Sequence, residues 1–179
     1  MTRILAVLFA GLTALTLAAC GSDPDFNDAD VAFVNGMIPH HRQAVEMAQM
    51  AEGAGASPEV QDLADRIDAA QGPEIDTMTG FLEDWDQPVP AESDMGSMGG
   101  MEGMMSDSDM QELMGLSGAE FDERFLTMMI EHHTGAIAMA QREQEDGQNP
   151  DAIDLAEQIE AAQAEEVTEM EGLLETVGS

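Results

Sequence analysis

All four histidines of this 179-residue sequence lie in two His-His pairs, His40-His41 and His132-His133. A methionine stands three residues before the first histidine of each pair, and another stands seven residues after it. Residues with these spacings lie on one face of an α-helix. Imidazole nitrogen binds borderline metal ions, and thioether sulfur favours Cu(I). The pattern therefore predicts a metal site that prefers Cu(I), with these candidate ligands: His40, His41, His132, His133, Met37, Met47, Met129 and Met139.

The two motifs belong to a longer internal repeat. Phe33–Ala48 reads FVNGMIPHHRQAVEMA, and Phe125–Ala140 reads FLTMMIEHHTGAIAMA, at an offset of 92 residues. The same offset relates Pro58 to Pro150 and continues as far as Leu174. Such a period indicates a repeated structural unit, here a helix pair of roughly 50 residues. Two helical hairpins pack most economically as an all-α four-helix bundle.

A helical wheel places both histidines of each motif on the apolar face that points to the core. The partner helices also turn polar side chains inward, at the same places in both copies. A buried polar group without a partner costs several kcal/mol, so we expect one polar layer shared by all four helices. Its members from the partner helices are candidate metal ligands, or groups that orient the second ring nitrogen of each histidine: Gln71, Glu74, Gln163 and Glu166.

Two other interpretations of this layer stay open. Ferritin-like di-iron proteins use Glu-x-x-His, with carboxylates that suit hard iron ions. Glu74 and Glu166 could serve an iron- or manganese-binding protein or oxidase in that way, although the motif here is Met37-x-x-His40. Alternatively, the histidine–glutamate layer only fixes helix register, in a structural or interaction lipoprotein.

The composition excludes several classes of function. The chain has 37 acidic residues against 5 basic ones, none of them lysine, and a formal charge of −32. It will therefore not bind nucleic acid or an anionic membrane surface. The sequence contains no H-E-x-x-H motif, no phosphate-binding loop and no arrangement of a Cys or Ser nucleophile. We therefore expect a binding protein rather than an enzyme.

The N-terminus has the pattern of an exported lipoprotein. Arg3 precedes an apolar run that is too short to span a membrane, which is typical of a signal peptide, here over residues 1–19. Leu17-Ala18-Ala19-Cys20 resembles the lipobox of bacterial lipoproteins, which implies cleavage before Cys20 and acylation of that residue. Because Cys20 is the only cysteine, no internal disulfide can form. We expect an extracytoplasmic protein of the cell envelope, anchored to a bacterial membrane through Cys20. The alternative is plain secretion with a free thiol.

The rest of the chain divides into a tether (20–27), a hairpin (28–83), a crossover linker (84–117) and a second hairpin (118–176). Capping residues and prolines indicate where the four helices begin. These are Asp28 as the first N-cap, Ser57 before Pro58, Ser117 with Glu120 in capping-box spacing, and Asn149 before Pro150.

The crossover carries the run MGSMGGMEGMM from Met95 to Met105. Glycine and serine make such a segment flexible, and a soft thioether suits Cu(I). Asp109 to Gly115 is expected to form a short helical turn. One interpretation makes the methionines incidental to a low-complexity linker. The other makes them auxiliary copper ligands: Met95, Met98, Met101, Met104 and Met105.

The segments MIPHHRQAVEMA and FDERFLTMMIEHHTGAIAMA, with Gln-x-x-Glu on each partner helix, resemble the bacterial domain-of-unknown-function 305 family. The resemblance covers Ala29 to Leu174. It implies a ferritin-like four-helix bundle, and the better-described members are exported, CopM-like copper-binding proteins linked to copper tolerance. The resemblance therefore implies Cu(I) sequestration or transfer in copper homeostasis, with a copper-transfer protein as partner, through the histidines and methionines of the two motifs.

Overall fold

The computed structural model describes residues 25–91 and 102–177, which contain five helices and no strand. The helices are α1 (Asp28–Ala54), α2 (Pro58–Asp84), α3 (Asp107–Met114), α4 (Ala119–Asp146) and α5 (Pro150–Val177). The prediction of an all-α fold is confirmed, with two hairpins, α1–α2 and α4–α5, forming the bundle. The predicted signal peptide (1–19), Cys20, Met95, Met98 and Met101 lie outside the described residues and stay predictions.

Two of the predicted helix caps differ from the observed ones. The N-cap of α1 is Asn27, one residue before Asp28, because its side chain and that of Asp30 form a reciprocal capping box. The predicted capping box of Ser117 with Glu120 is wrong: the N-cap of α4 is Gly118, whose φ of 57° is a glycine conformation, and no side chain caps this end. Ser57 caps α2 as predicted. The helix expected near Asp109 begins earlier, because Ser106 caps it.

The two hairpins cap each other, a feature that the sequence analysis missed. On α1, Asp30 accepts hydrogen bonds from the backbone N–H groups of Gln148 and Asn149 at the start of α5. On α4, Asp122 accepts one from the N–H of Ser57 at the start of α2. These residues are related by the repeat offset of 92. Each carboxylate therefore accepts hydrogen bonds from N–H groups that would otherwise be unpaired at a helix start in the other hairpin.

The helices α1 and α4 run antiparallel. The N–H of Gly118, at the start of α4, donates to the carbonyl of Ala54 at the end of α1, at 3.0 Å. At the opposite end, Asp30 meets the turn that follows α4. Both α1 and α2 continue through their interior prolines, Pro39 and Pro73. None of the helices in the described ranges has an apolar stretch long enough to cross a membrane.

The antiparallel arrangement sorts the motif methionines into two apolar clusters. The first cluster joins Met47 of α1 with Met129 of α4, and the second joins Met37 with Met139. Each cluster therefore receives one motif methionine from each copy. The further methionines Met170 and Met78, which are also related by the repeat offset, lie in the first and second cluster respectively.

The described part of the crossover is packed against the bundle. The Met105 side chain is buried in the first apolar cluster, and α3 adds Met110 and Leu113 to the same cluster. Met105 and α3 are therefore packed against the bundle, although the composition of this crossover predicted a flexible linker. The physical reason is tertiary contact with α1 and α4, which composition does not encode.

Candidate metal centre

The two His-His pairs meet in one buried layer. His40 and His41 lie on α1, His132 and His133 lie on α4, and none of the four has exposed surface. Helical periodicity produces this arrangement because both residues of each pair fall on the wide apolar face of their helix. The four imidazoles therefore form a polar layer inside an otherwise apolar core, which requires a compensating interaction.

A glutamate from each partner helix contacts one histidine of each pair. Nε2 of His41 lies 2.7 Å from Oε2 of Glu74, and Nε2 of His133 lies 2.7 Å from Oε2 of Glu166. Both glutamates are partly exposed, at 24% and 16% of the side chain. When Nε2–H donates to the carboxylate, Nδ1 of the neutral ring keeps its lone pair. Such a carboxylate–histidine contact fixes the tautomer and orientation of a metal-binding imidazole.

The other two histidines contact each other across the centre of the bundle. The ring centroids of His40 and His132 are 3.7 Å apart, with an angle of 42° between the rings. Burial and, to a lesser extent, the neighbouring His41 lower the pKa of His40 to about 3, although the Glu102 backbone opposes the change. Burial and His40 likewise hold the pKa of His132 well below its usual value. Both rings are therefore neutral at pH 7, the form in which imidazole binds metal.

Most of the nitrogens in this layer have no hydrogen-bond partner among the described residues. These atoms are both ring nitrogens of His40 and His132, and Nδ1 of His41 and His133. An unpaired buried polar atom costs about 1–3 kcal/mol, and native interiors contain few of them. Lone pairs of neutral imidazoles, buried and grouped in this way, fit a metal ion, which would replace the missing partners.

The motif methionines are also buried. Met37, Met47 and Met129 have no exposed surface, and Met139 is 9% exposed. In sequence, Met37 stands one helical turn before His40, and Met129 stands one turn before His132. Thioethers therefore flank the histidine layer on both sides. In the described residues, no three or more His, Cys, Asp or Glu side chains already converge as a metal-binding group, so the fit lies in the donor chemistry, and the imidazoles would have to turn toward a bound ion.

The two glutamines of the predicted polar layer are buried but are not bonded to the histidines' unpaired atoms. Gln71 and Gln163 are 2% and 3% exposed. Both amide atoms of Gln71 and Oε1 of Gln163 have no hydrogen-bond partner among the described residues. Their role as ligands or as orienting groups stays a prediction.

Residues of the crossover cover the layer on one side, and the sequence analysis did not anticipate this. Gln43 makes two hydrogen bonds with the backbone of Met105. Nε2 of Gln43 donates to the Met105 carbonyl oxygen at 2.9 Å, and the Met105 N–H donates to Oε1 of Gln43 at 2.7 Å. Gly103 lies directly against Gly135 of α4. A glycine inside a long helix is unfavourable by itself, and this was the one sequence signal of a close backbone approach at Gly135.

Comparison with known proteins identifies the family. The family model described as Domain of unknown function (DUF305) matches residues 30–174. Among solved structures, a Streptomyces coelicolor protein described as a secreted DUF305 protein has 32% identity and a TM-score of 0.77, covering 84% of this chain and 94% of its own. A DUF305 fragment from Deinococcus radiodurans has 31% identity and a TM-score of 0.76, covering 86% of this chain and 99% of its own.

CopM is a third relative, and its structures include metal-bound forms. The Cu(II)-bound form has 31% identity and a TM-score of 0.72, covering 82% of this chain and 96% of its own. Cu(I)-bound and Ag-bound forms are also similar, with TM-scores of 0.69 and 0.67. None of the curated proteins matches the chain. The family match includes parts of all five helices, and the protein therefore belongs to the DUF305 family.

Proposed function

We propose that this protein binds Cu(I) in its buried histidine layer and serves to sequester or transfer copper outside the cytoplasm. The observation that carries the proposal is the set of buried, unpaired ring nitrogens on His40, His41, His132 and His133. The relatives support it, because CopM structures contain Cu(I), Cu(II) and Ag. Silver(I) is a soft monovalent ion like Cu(I), so the same donors suit both.

The donor chemistry favours copper over iron or manganese. Hard ions need carboxylate oxygens, whereas imidazole and thioether suit Cu(I). The carboxylates of Glu74 and Glu166 already contact His41 and His133 at 2.7 Å. We assign these glutamates to orienting the imidazoles. The ligands in this proposal are the four histidines and the flanking methionines Met37, Met47, Met129 and Met139.

Location and partners form part of the same proposal. The Streptomyces coelicolor relative is described as secreted, which supports an extracytoplasmic location for this chain. Acylation of Cys20 would hold the bundle at the membrane surface, and the segment before Asn27 would act as the tether. A copper-transfer protein is then the expected partner. Mass spectrometry of the protein from membranes tests the anchor, since acylation of Cys20 adds the mass of its lipid chains.

An anaerobic Cu(I) titration against a chelator competitor tests the binding site. The protein is compared with a variant in which His40, His41, His132 and His133 are all alanine. We expect tight binding that the variant loses while it keeps its helical circular dichroism. Equal binding by both proteins would place any site among the methionines instead. Preference for Fe(II), together with metal-dependent oxygen consumption, would favour the iron alternative.

A further inference from the structure

The segment Glu102–Met105 lies across α1 and α4 beside the His40–His132 pair. The Glu102 backbone lies beside the His40 ring, where it opposes the lowering of that ring's pKa by burial. A Cβ atom built on Gly135 would clash with the Glu102 carbonyl oxygen, and one built on Gly103 would lie 2.9 Å from the His132 carbonyl oxygen. The contact between segment and helix is therefore backbone against backbone, and it exists only because both residues are glycine.

Two further contacts hold the segment in place. The buried side chain of Gln43 on α1 exchanges both its hydrogen bonds with the backbone of Met105. On α4, Arg142 donates to Glu102 at 2.7 Å in an exposed ion pair. Exposed pairs of this kind contribute little, so the glycine contact and the Gln43 hydrogen bonds are the principal attachments.

These two attachments occupy equivalent places in the repeat. Gln43 stands two residues after His41, and Gly135 stands two residues after His133. The segment therefore rests on the same position of both motifs and straddles the two histidine-bearing helices. The first motif binds the segment through the side chain of Gln43, and the second motif accommodates it because Gly135 has no side chain.

We propose that Glu102–Met105 is a lid that controls the access of a soft monovalent metal ion to the histidine layer, and that Gly135 sets its closure. This inference rests on the proposed function. The imidazoles have no exposed surface, so an ion reaches them only when some packed contact opens. The helices of each hairpin pack closely on each other, and between α2 and α5 the layer is covered by Glu74 and Glu166, which are held by His41 and His133. The lid, in contrast, is a short segment with few attachments. Such a segment opens locally at lower free energy than the bundle as a whole.

The chemistry of the lid matches that ion. Met105 turns its thioether into the apolar cluster that also contains Met47 and Met129. A lid with a sulfur on its inner face offers the incoming ion a soft donor before it reaches the imidazoles. Closure of the lid then leaves the bound ion in an interior without water.

The lid is tested by the reaction of the histidines with diethyl pyrocarbonate, followed for each residue by mass spectrometry. This readout needs no metal. Gly135→Ala is compared with Gly80→Ala, which adds the same methyl group to helix α2 where nothing lies within 4 Å. We expect Gly135→Ala to speed the modification of His40 and His132 by about tenfold or more, because local opening controls access, and Gly80→Ala to leave the rate unchanged.

A second variant keeps the test decisive if Gly135→Ala does not fold. Gln43→Ala removes both hydrogen bonds to Met105, and Gln49→Ala, an exposed glutamine on the same helix, is its control. Rates of modification equal to wild type in both Gly135→Ala and Gln43→Ala would overturn the lid.

Stopped-flow uptake of Ag(I) then separates the lid from the proposed function. Faster uptake by the lid variants than by their controls supports both. If the wild-type protein takes up no Ag(I) or Cu(I), the proposed metal function fails, while the modification rates still decide whether the segment gates the histidines. If metal binds but uptake is no faster in the lid variants, the lid inference alone fails.

Discussion

The imidazole of His133 contacts the carboxylate of Glu166 at 2.7 Å, and the same contact recurs between His41 and Glu74 in the other half of the bundle. Each contact joins the two helices of one hairpin, with the same 33-residue separation. The repeat therefore builds two equivalent histidine–glutamate pairs around a central histidine pair. In each pair, one ring nitrogen faces the carboxylate and the other has no partner.

Removing the charge of these glutamates tests their orienting role. We expect Glu74→Gln combined with Glu166→Gln to weaken Cu(I) binding about 10–100-fold, the usual effect of losing a group that orients a metal-bound histidine. Helical content should not change. The measurement is competition with a Cu(I) chelator, and Glu83→Gln, an exposed residue on α2, is the control. Unchanged affinity in the double variant would contradict the assigned role.

Replacing sulfur without changing volume tests the methionines. Met37→Leu and Met129→Leu are nearly isosteric, so each should change the free energy of unfolding by less than about 1.5 kcal/mol. We expect each to reduce Cu(I) affinity, because the thioether donor is lost. Met128→Leu, at a buried methionine outside the motif spacing, provides the matched control. Equal affinity in all three variants would mean that these methionines only fill the core.

The reciprocal caps between the hairpins should each contribute about 0.5–2 kcal/mol, the usual range for a capping side chain. Asp122→Ala removes the hydrogen-bond acceptor of the Ser57 N–H. We therefore expect it to lower the free energy of unfolding by that amount, measured by urea denaturation. Asp30→Ala should cost more, because Asp30 accepts hydrogen bonds from Asn27, Gln148 and Asn149. Asp28 lies in the same first turn but is exposed, and the contacts with the second hairpin are made by Asp30. Asp28→Ala should therefore change the free energy of unfolding little.

Glu143 and Asp30 form a buried pair of carboxyl groups, and this pair predicts that the free energy of unfolding depends on pH. Burial and the adjacent Asp30 raise the pKa of Glu143 to about 8. Because this folded-state pKa lies above the usual value of 4.5, the stabilising contribution is complete below about pH 4.5 and is lost as the pH rises through about 8. We expect Glu143→Gln to flatten that decline. The free energy of unfolding is measured in urea across this range.

The control for the carboxyl pair is Glu171→Gln, an exposed residue on α5. Its pH profile should follow that of the wild-type protein. At the repeat-equivalent position in α1 the residue is Ala51, so only one end of the bundle should show this effect. A decline with pH that is as steep in Glu143→Gln as in wild type would show that Glu143 does not cause it.

The sequence predicted the histidine layer because the information is local and repeated. A doubled motif with helical spacing fixes which face of α1 and α4 carries His40 and His132, and the repeat offset identifies Glu74 and Glu166 as equivalent. The contacts between hairpins could not be predicted in the same way. The Asp30 and Asp122 caps depend on the antiparallel approach of α1 and α4, which the repeat alone does not specify.

The lid was missed for a similar reason. Composition correctly describes residues rich in Gly, Ser and Met as poor formers of regular structure. It cannot show that Gly103 meets Gly135 across a large sequence separation, or that Gln43 binds the Met105 backbone. The wrong capping box at Ser117 has a local cause. Gly118 adopts a positive φ at the N-cap, and the serine lies one residue too early to cap α4.

X-ray absorption at the copper edge of the Cu(I)-loaded protein tests the central claim most directly. We predict both imidazole nitrogen and thioether sulfur around the metal, with the imidazole signal lost when His40, His41, His132 and His133 are all changed to alanine. Copper surrounded by sulfur alone in the wild-type protein would contradict the account, because it would place the metal among methionines and leave the buried histidines as a structural layer.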